Sequence, residues 1–125
     1  MKKQVLFVDD EPNFLSGIKR MLRPYRDEWE LHFAGGVDEA IALVKENVYD
    51  TIISDVSMPI KTGLDLLTEL GELDTFSTTP VIILTGNAEA DLKRRALDLG
   101  ATDLLNKPVA QEDLVARLQS TLRLK

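Results

Sequence analysis

Asp9 and Asp10 follow one short apolar run of the chain and Asp55 follows another, while Thr85 follows a third and Lys107 lies just past a fourth. Carboxylates that converge repel one another and raise one another's pKa unless a cation stands between them. A hard divalent ion meets that need, and carboxylates with water and phosphate oxygens are the ligand set that Mg²⁺ favours. A central carboxylate can also act as a nucleophile and form an acyl phosphate. Phosphoryl transfer requires little beyond positioning, charge neutralisation and an in-line nucleophile. The expected roles are therefore Asp55 as nucleophile, Mg²⁺ and Lys107 as counter-charges on the phosphoryl oxygens, and Thr85 as a hydrogen-bond donor to one of them. Taken singly these residues say little. An Asp-Asp pair often caps a helix, as Asp10 would ahead of Pro12, and a strand end or a solvated face accounts for a lone threonine or lysine. Their joint placement at strand ends is what carries the reading.

That placement depends on the elements around them. Val5-Leu6-Phe7-Val8 and Val81-Ile82-Ile83-Leu84 are continuously apolar, as parallel strands buried on both faces are. Trp29 to Phe33 alternates instead, which suits an edge strand, and Thr51 to Ser54 and Leu104-Leu105 supply the remaining strands. Between them run stripes at helical spacing: Phe14, Ile18, Met21 and Leu22; Val37, Ala40, Ile41 and Val44; Leu66, Leu67, Leu70 and Leu73; Leu92, Ala96 and Leu99, stopping at Gly100; and Leu114, Val115, Leu118 and Leu122. This is an α/β, (βα)₅ alternation, which predicts a doubly wound parallel five-stranded sheet of order 2-1-3-4-5 with helices on both faces. Ligands of such sheets bind outside the carboxyl ends of the strands where the order reverses. Here the reversal falls between the first and third strands, which carry the three aspartates.

The chain's 125 residues fit one domain, residues 1–125, with a substantial core. Its 44% hydrophobic and 29% charged content is that of an ordinary globular protein. Without cysteine there is no disulfide, thiolate metal site or cysteine nucleophile, which fits a reducing cytoplasm. No apolar stretch approaches the roughly 20 residues of a membrane span, and no signal peptide is evident. The net charge of −6 argues against a basic nucleic-acid surface.

Val8-Asp9-Asp10-Glu11-Pro12, Asp55-Val56-Ser57-Met58-Pro59 with Gly63, Leu84-Thr85-Gly86 and Asn106-Lys107-Pro108, in this order and spacing, form a specific signature. Over essentially its whole length the chain resembles the receiver domains of bacterial two-component response regulators. The resemblance implies that Asp55 is the phosphoacceptor and that Asp10, Asp55 and the backbone carbonyl of Ser57 bind Mg²⁺ directly, with Asp9 acting through water. It implies that Thr85 is the switch hydroxyl, that Lys107 pairs with the phosphate, and that the Lys107-Pro108 peptide is cis. It implies, as partners, a sensor histidine kinase or phosphotransfer protein (or a small phosphodonor), an output domain or partner protein reached through the fourth helix, fifth strand and fifth helix, and a homodimer as one form the phosphorylated state takes. A receiver of this kind is not an enzyme on external substrates, and it is often the N-terminal part of a longer regulator. One departure stands out: the position three residues before Lys107, usually aromatic in the family, is Leu104. Ser57 and Asn87 occupy the positions that tune access of water to the acyl phosphate. The segment from Met21 to Trp29 also looks similar to receivers fused to HD-type domains.

The competing reading is a Mg²⁺-dependent aspartyl-phosphate phosphatase or phosphotransferase acting on an external substrate. Against it, Asp9 and Asp10 are adjacent, whereas the best-known such hydrolases separate nucleophile and acid by one residue. His32, the sole histidine, alternates with Trp29, Leu31 and Phe33 and is expected at the surface. Trp29 and Phe33 are expected as core anchors, Lys93-Arg94-Arg95 as a solvated helix face, and Gly35-Gly36 as a turn.

Overall fold

Strand β1 (Lys3–Val8) carries the four-residue apolar run, and its side chains alternate between two separate cores. Val5 and Phe7 face one side with Ile18 and Leu22 of α1 (Pro12–Met21 and the residue that ends it) and with Leu114, Val115, Leu118 and Leu122 of α5 (Gln111–Arg123). Leu6 and Val8 face the other, with Val37 and Ala40 of α2 (Val37–Glu46), Leu66, Leu67 and Leu70 of α3 (Gly63–Gly71), and Ala96 of α4 (Ala90–Asp98). Continuous apolar sequence in the central strands is thus the direct consequence of helices on both faces. The computed structural model describes residues 2–73, 79–86 and 90–123. Within it, β2 (Trp29–Ala34), β3 (Thr51–Asp55), β4 (Val81–Thr85) and β5 (Asp103–Asn106) join β1 in a parallel sheet of order β2-β1-β3-β4-β5. The expected architecture is the one observed.

Local chemistry sets the helix ends. Pro12 occupies the first turn of α1, where its missing N–H costs nothing. The helix stops at Met21, and Pro24 falls in a single 3₁₀ turn, Arg23–Tyr25. Two stripes run past their helices: α3 ends at Gly71, before Leu73, and α4 at Asp98, before Leu99, which is 41% exposed. Gly100 follows with φ +109°, and the Ala101 N–H closes the α4 end on the Ala96 carbonyl at 2.9 Å. At the start of α3, the Thr62 hydroxyl accepts from the Asp65 N–H while the Asp65 carboxylate accepts from the Thr62 N–H at 2.8 Å. Replacing Thr62 with alanine is expected to cost about 1 kcal/mol, read as a lower urea midpoint at unchanged m-value.

Trp29 is buried and stacks on Tyr25 at 4.9 Å, as an anchor of β2; Phe33 is only half-buried, stacked on Phe7 at 6.0 Å. His32 corrects the expectation of a surface histidine. It is half-buried, with its Nδ1 2.9 Å from the buried Tyr49 hydroxyl and its Nε2 2.9 Å from Glu30. Alternation placed it opposite Trp29, but in a sheet covered on both sides the opposite face is also a helix-packed interior.

Candidate functional site

The carboxyl ends of β1, β3 and β4 meet at one edge of the sheet. Asp55 and Thr85 are the last residues of their strands rather than the first beyond them, so the ladder itself fixes them: Asp55 pairs with Leu84 and Thr85 with Asn106. Asp9 follows β1 and is tied to β2 by its N–H on the Ala34 carbonyl at 3.0 Å. Asp9, Asp55 and Thr85 are each at most 5% exposed, and Asp10 is the most open of the acids.

Carboxylate oxygens of Asp9, Asp10 and Asp55 lie within 4.8 Å of one another. Asp9 uses one oxygen to accept the Glu11 N–H at 2.9 Å and the other to accept from Lys107 Nζ at 2.9 Å; the same ammonium is 3.4 Å from Asp55. Asp9, and not Asp10, therefore serves the α1 start, which corrects the capping role expected for Asp10. The residue before α1 makes no side-chain cap of its own. Lys107 is positioned from β4, since its N–H donates to the Thr85 carbonyl at 2.9 Å, and the Lys107–Pro108 peptide is cis.

Burial pushes the Asp55 carboxyl above the usual carboxylate range; the Lys107 ammonium pulls it down, the Asp9 charge pushes it up, and the Ser57 N–H donates to it. Burial also works against the Lys107 charge, but its hydrogen bond to Asp9 and the negative charge of Asp55 and Asp9 outweigh this and hold it above an ordinary lysine. Three hard oxygen donors, two of them deeply buried, suit Mg²⁺ better than a softer metal. The ammonium already beside them shows how strongly this pocket calls for positive charge.

The loop joining β3 to α3 forms the rim. Its ends are pinned by the Gly63 N–H on the Val56 carbonyl at 2.9 Å, and Met58 is buried beneath it. Its tip is a three-residue turn in which the Lys61 N–H donates to the Pro59 carbonyl at 2.8 Å around Ile60, with φ +71° and a fully exposed side chain. Lys61 holds the turn from outside by ion pairs to Asp38 on α2 at 2.8 Å and Glu69 on α3 at 2.9 Å. Ser57 is exposed on this loop, and Asn87 lies outside the described residues.

The parts played by two neighbours of the pocket, Phe14 of the α1 stripe and Gly63 of the signature, escaped sequence reasoning. The Phe14 ring lies under the Lys107 ammonium, 4.2 Å from Nζ to its centroid. Its spacing of one helical turn from Asp10 was a usable signal, overridden by its membership of the apolar stripe of α1. Gly63 approaches the Asp55 backbone so closely that a Cβ there would stand 2.6 Å from the Asp55 carbonyl oxygen. By contrast, Leu104 packs half-buried on the α2–α3–α4 side as an aliphatic residue. Lys93, Arg94 and Arg95 are exposed on α4, with Arg94 paired to Asp91.

A family model described as the response regulator receiver domain matches residues 5–119. The transcriptional regulatory protein SrrA of Staphylococcus aureus is 34% identical over 125 residues, covering 98% of this chain and 49% of that protein. The chain thus spans about half the length of the curated relatives it matches. Among solved structures, chemotaxis protein CheY4 of Vibrio cholerae aligns with a TM-score of 0.90 at 30% identity, over 98% of this chain and 100% of that one. The signal receiver domain of an HD domain-containing protein from Pseudomonas fluorescens Pf-5 aligns with a TM-score of 0.90 at 26% identity, over 99% and 97%.

Proposed function

The chain belongs to the response regulator receiver domains, and from that premise we propose that it is a phosphorylation switch whose Asp55 accepts a phosphoryl group in a Mg²⁺-dependent reaction. The observation that supports this most is the pocket in which Asp55 sits beside Asp9 and Asp10 with Lys107 3.4 Å away. Membership of a signalling family does not favour an aspartyl phosphatase acting on an external substrate.

One carboxylate oxygen of Asp55 attacks the phosphorus of the donor. As that bond forms, the bond from phosphorus to the donor's nitrogen or oxygen breaks, and its electron pair leaves with the donor. Asp10, Asp55 and the Ser57 carbonyl would hold the cation directly, with Asp9 acting through water. Mg²⁺ bound there would supply positive charge to offset that of the phosphoryl oxygens. Lys107 turns from Asp9 to one of those oxygens, and the Thr85 hydroxyl donates to another. Movement of these two residues at the ends of β4 and β5 shifts the population of the α4–β5–α5 surface. A histidine kinase or phosphotransfer protein is the proposed donor in the cell, and small phosphodonors suffice in solution. Residues 1–125 act as one receiver unit serving an output domain or partner protein, in the cytoplasm, with homodimerisation as one form of output. Among the described residues no helix is long and apolar enough to cross a membrane.

Acetyl phosphate with Mg²⁺ is expected to add one phosphoryl group, located on Asp55 by peptide mass spectrometry; label confined to another residue would overturn the assignment. Mg²⁺ alone is expected to raise the melting temperature. At ten times its dissociation constant the ion stabilises the fold by about 1.4 kcal/mol, and Asp10→Asn is expected to lose most of that gain.

A further inference from the structure

We propose that Phe14 is a positioning residue for Lys107: the face of its ring keeps the ammonium group in the pocket when a divalent cation occupies the neighbouring carboxylates. This rests on the reading of Asp55 given above and concerns a contact that reading does not use.

Among the described residues, Lys107 Nζ lies close to Asp9 at 2.9 Å, Asp55 at 3.4 Å and the centre of the Phe14 ring at 4.2 Å. The first two belong to the carboxylate cluster that would hold a divalent cation, Asp55 directly and Asp9 through water. A cation there competes for the negative charge of both carboxylates and repels the ammonium, so both ionic partners weaken at the moment the lysine is needed. The Phe14 ring does not enter that competition. It has no lone pair to give a metal, and its negative face attracts the ammonium whether or not the carboxylates are engaged. The lysine side chain is only 17% exposed, so the attraction acts where water screens it weakly.

Both partners are anchored by the fold. Phe14 lies in the first turn and a half of α1 and packs against the core containing Ile18 and Leu22; Val109, directly after the cis Lys107–Pro108 peptide, packs on the same core. A free lysine has many rotamers to lose on reaching a phosphoryl oxygen. One already resting on an aromatic face at the pocket wall has fewer. Phe14 therefore acts on the transfer through Lys107, without contact with the reacting atoms.

Three variants separate this role from packing. Phe14→Leu keeps an apolar side chain and removes the π face, whereas Phe14→Tyr and Phe14→Trp keep it. In wild-type protein the ε-methylene protons of Lys107 are expected upfield by ring current, with and without saturating Mg²⁺, and Phe14→Leu is expected to lose that shift. Acetyl phosphate labelling at saturating Mg²⁺ is expected to slow about three- to tenfold in Phe14→Leu and to recover in Phe14→Tyr, with Mg²⁺ affinity changed by less than about twofold. Disappearance of the ring-current shift on adding Mg²⁺, wild-type labelling by Phe14→Leu, or no recovery with either aromatic replacement would overturn the proposal. Should the wild-type protein take no label at all, the reading of Asp55 falls, while the Lys107 resonances still decide whether Phe14 holds the ammonium.

Discussion

The Asp55→Asn variant is expected to take no phosphoryl group from acetyl phosphate in the presence of Mg²⁺, a loss of roughly a hundredfold or more in labelling rate. The carboxamide keeps the shape of the side chain but has no anionic oxygen with which to attack phosphorus, and removal of a nucleophile is among the most costly single changes to a covalent step. The same variant supplies its own folding control. Because burial raises the Asp55 pKa, the folded state favours the protonated carboxyl. This group's contribution to stability is greatest below the pKa of an unfolded aspartate and is lost as pH rises through the elevated folded value. A neutral asparagine escapes that loss, and Lys107 retains its 2.9 Å bond to Asp9. At neutral pH without Mg²⁺ the variant is therefore expected to melt no lower than wild type. Undiminished labelling of a folded Asp55→Asn protein would refute the role given to Asp55.

The second large effect is expected at Gly63. A Cβ here would stand 2.6 Å from the Asp55 carbonyl oxygen and 3.0 Å from the Val56 Cα. Both are backbone atoms, so no side chain can swing aside and the loop or the strand end must move. Gly63→Ala is expected to destabilise the fold by about 1–3 kcal/mol, seen in chemical denaturation. It is also expected to slow labelling by about tenfold or more, since the atoms displaced belong to the backbone of Asp55, the proposed nucleophile. Gly71, at the end of α3, is the control: nothing lies within 4 Å of a Cβ built there. Gly71→Ala is expected to be neutral or slightly stabilising. Equal behaviour of the two variants would remove the steric argument for Gly63.

What could be read from the sequence follows from which features have a period. The two-sided burial of Val5–Val8 and Val81–Leu84 and the stripes of the five helices repeat at fixed intervals, so the sheet, its order and the gathering of Asp9, Asp10, Asp55, Thr85 and Lys107 at one edge were all legible. Contacts between elements have no such period. Phe14 satisfies the α1 stripe equally well with or without a lysine on its ring, and His32 has the same alternation whether its face meets water or Tyr49. The turn at Ile60 runs against local preference, because a β-branched residue avoids positive φ. It exists only because Pro59, Lys61 and Gly63 are fixed on either side, which a reading of Ile60 alone does not contain. The order of the carboxylates was similarly hidden: either of two adjacent aspartates could have served α1, and only the path of the chain gives Asp9 that task.

The ion pair between Lys107 and Asp9 bears on how the domain tolerates a cluster of three carboxylates. Three carboxylates without any counter-ion would push this end of the sheet apart, and the fold would then depend on a metal for its integrity. With an ammonium tethered among them, the molecule carries its own competitor for the ion. A divalent cation entering the pocket would meet a resident positive charge that already engages Asp9 and Asp55, and its net affinity would be lowered accordingly. Under the function proposed above, the ion would come and go with its concentration while the Lys107–Asp9 pair keeps the scaffold assembled.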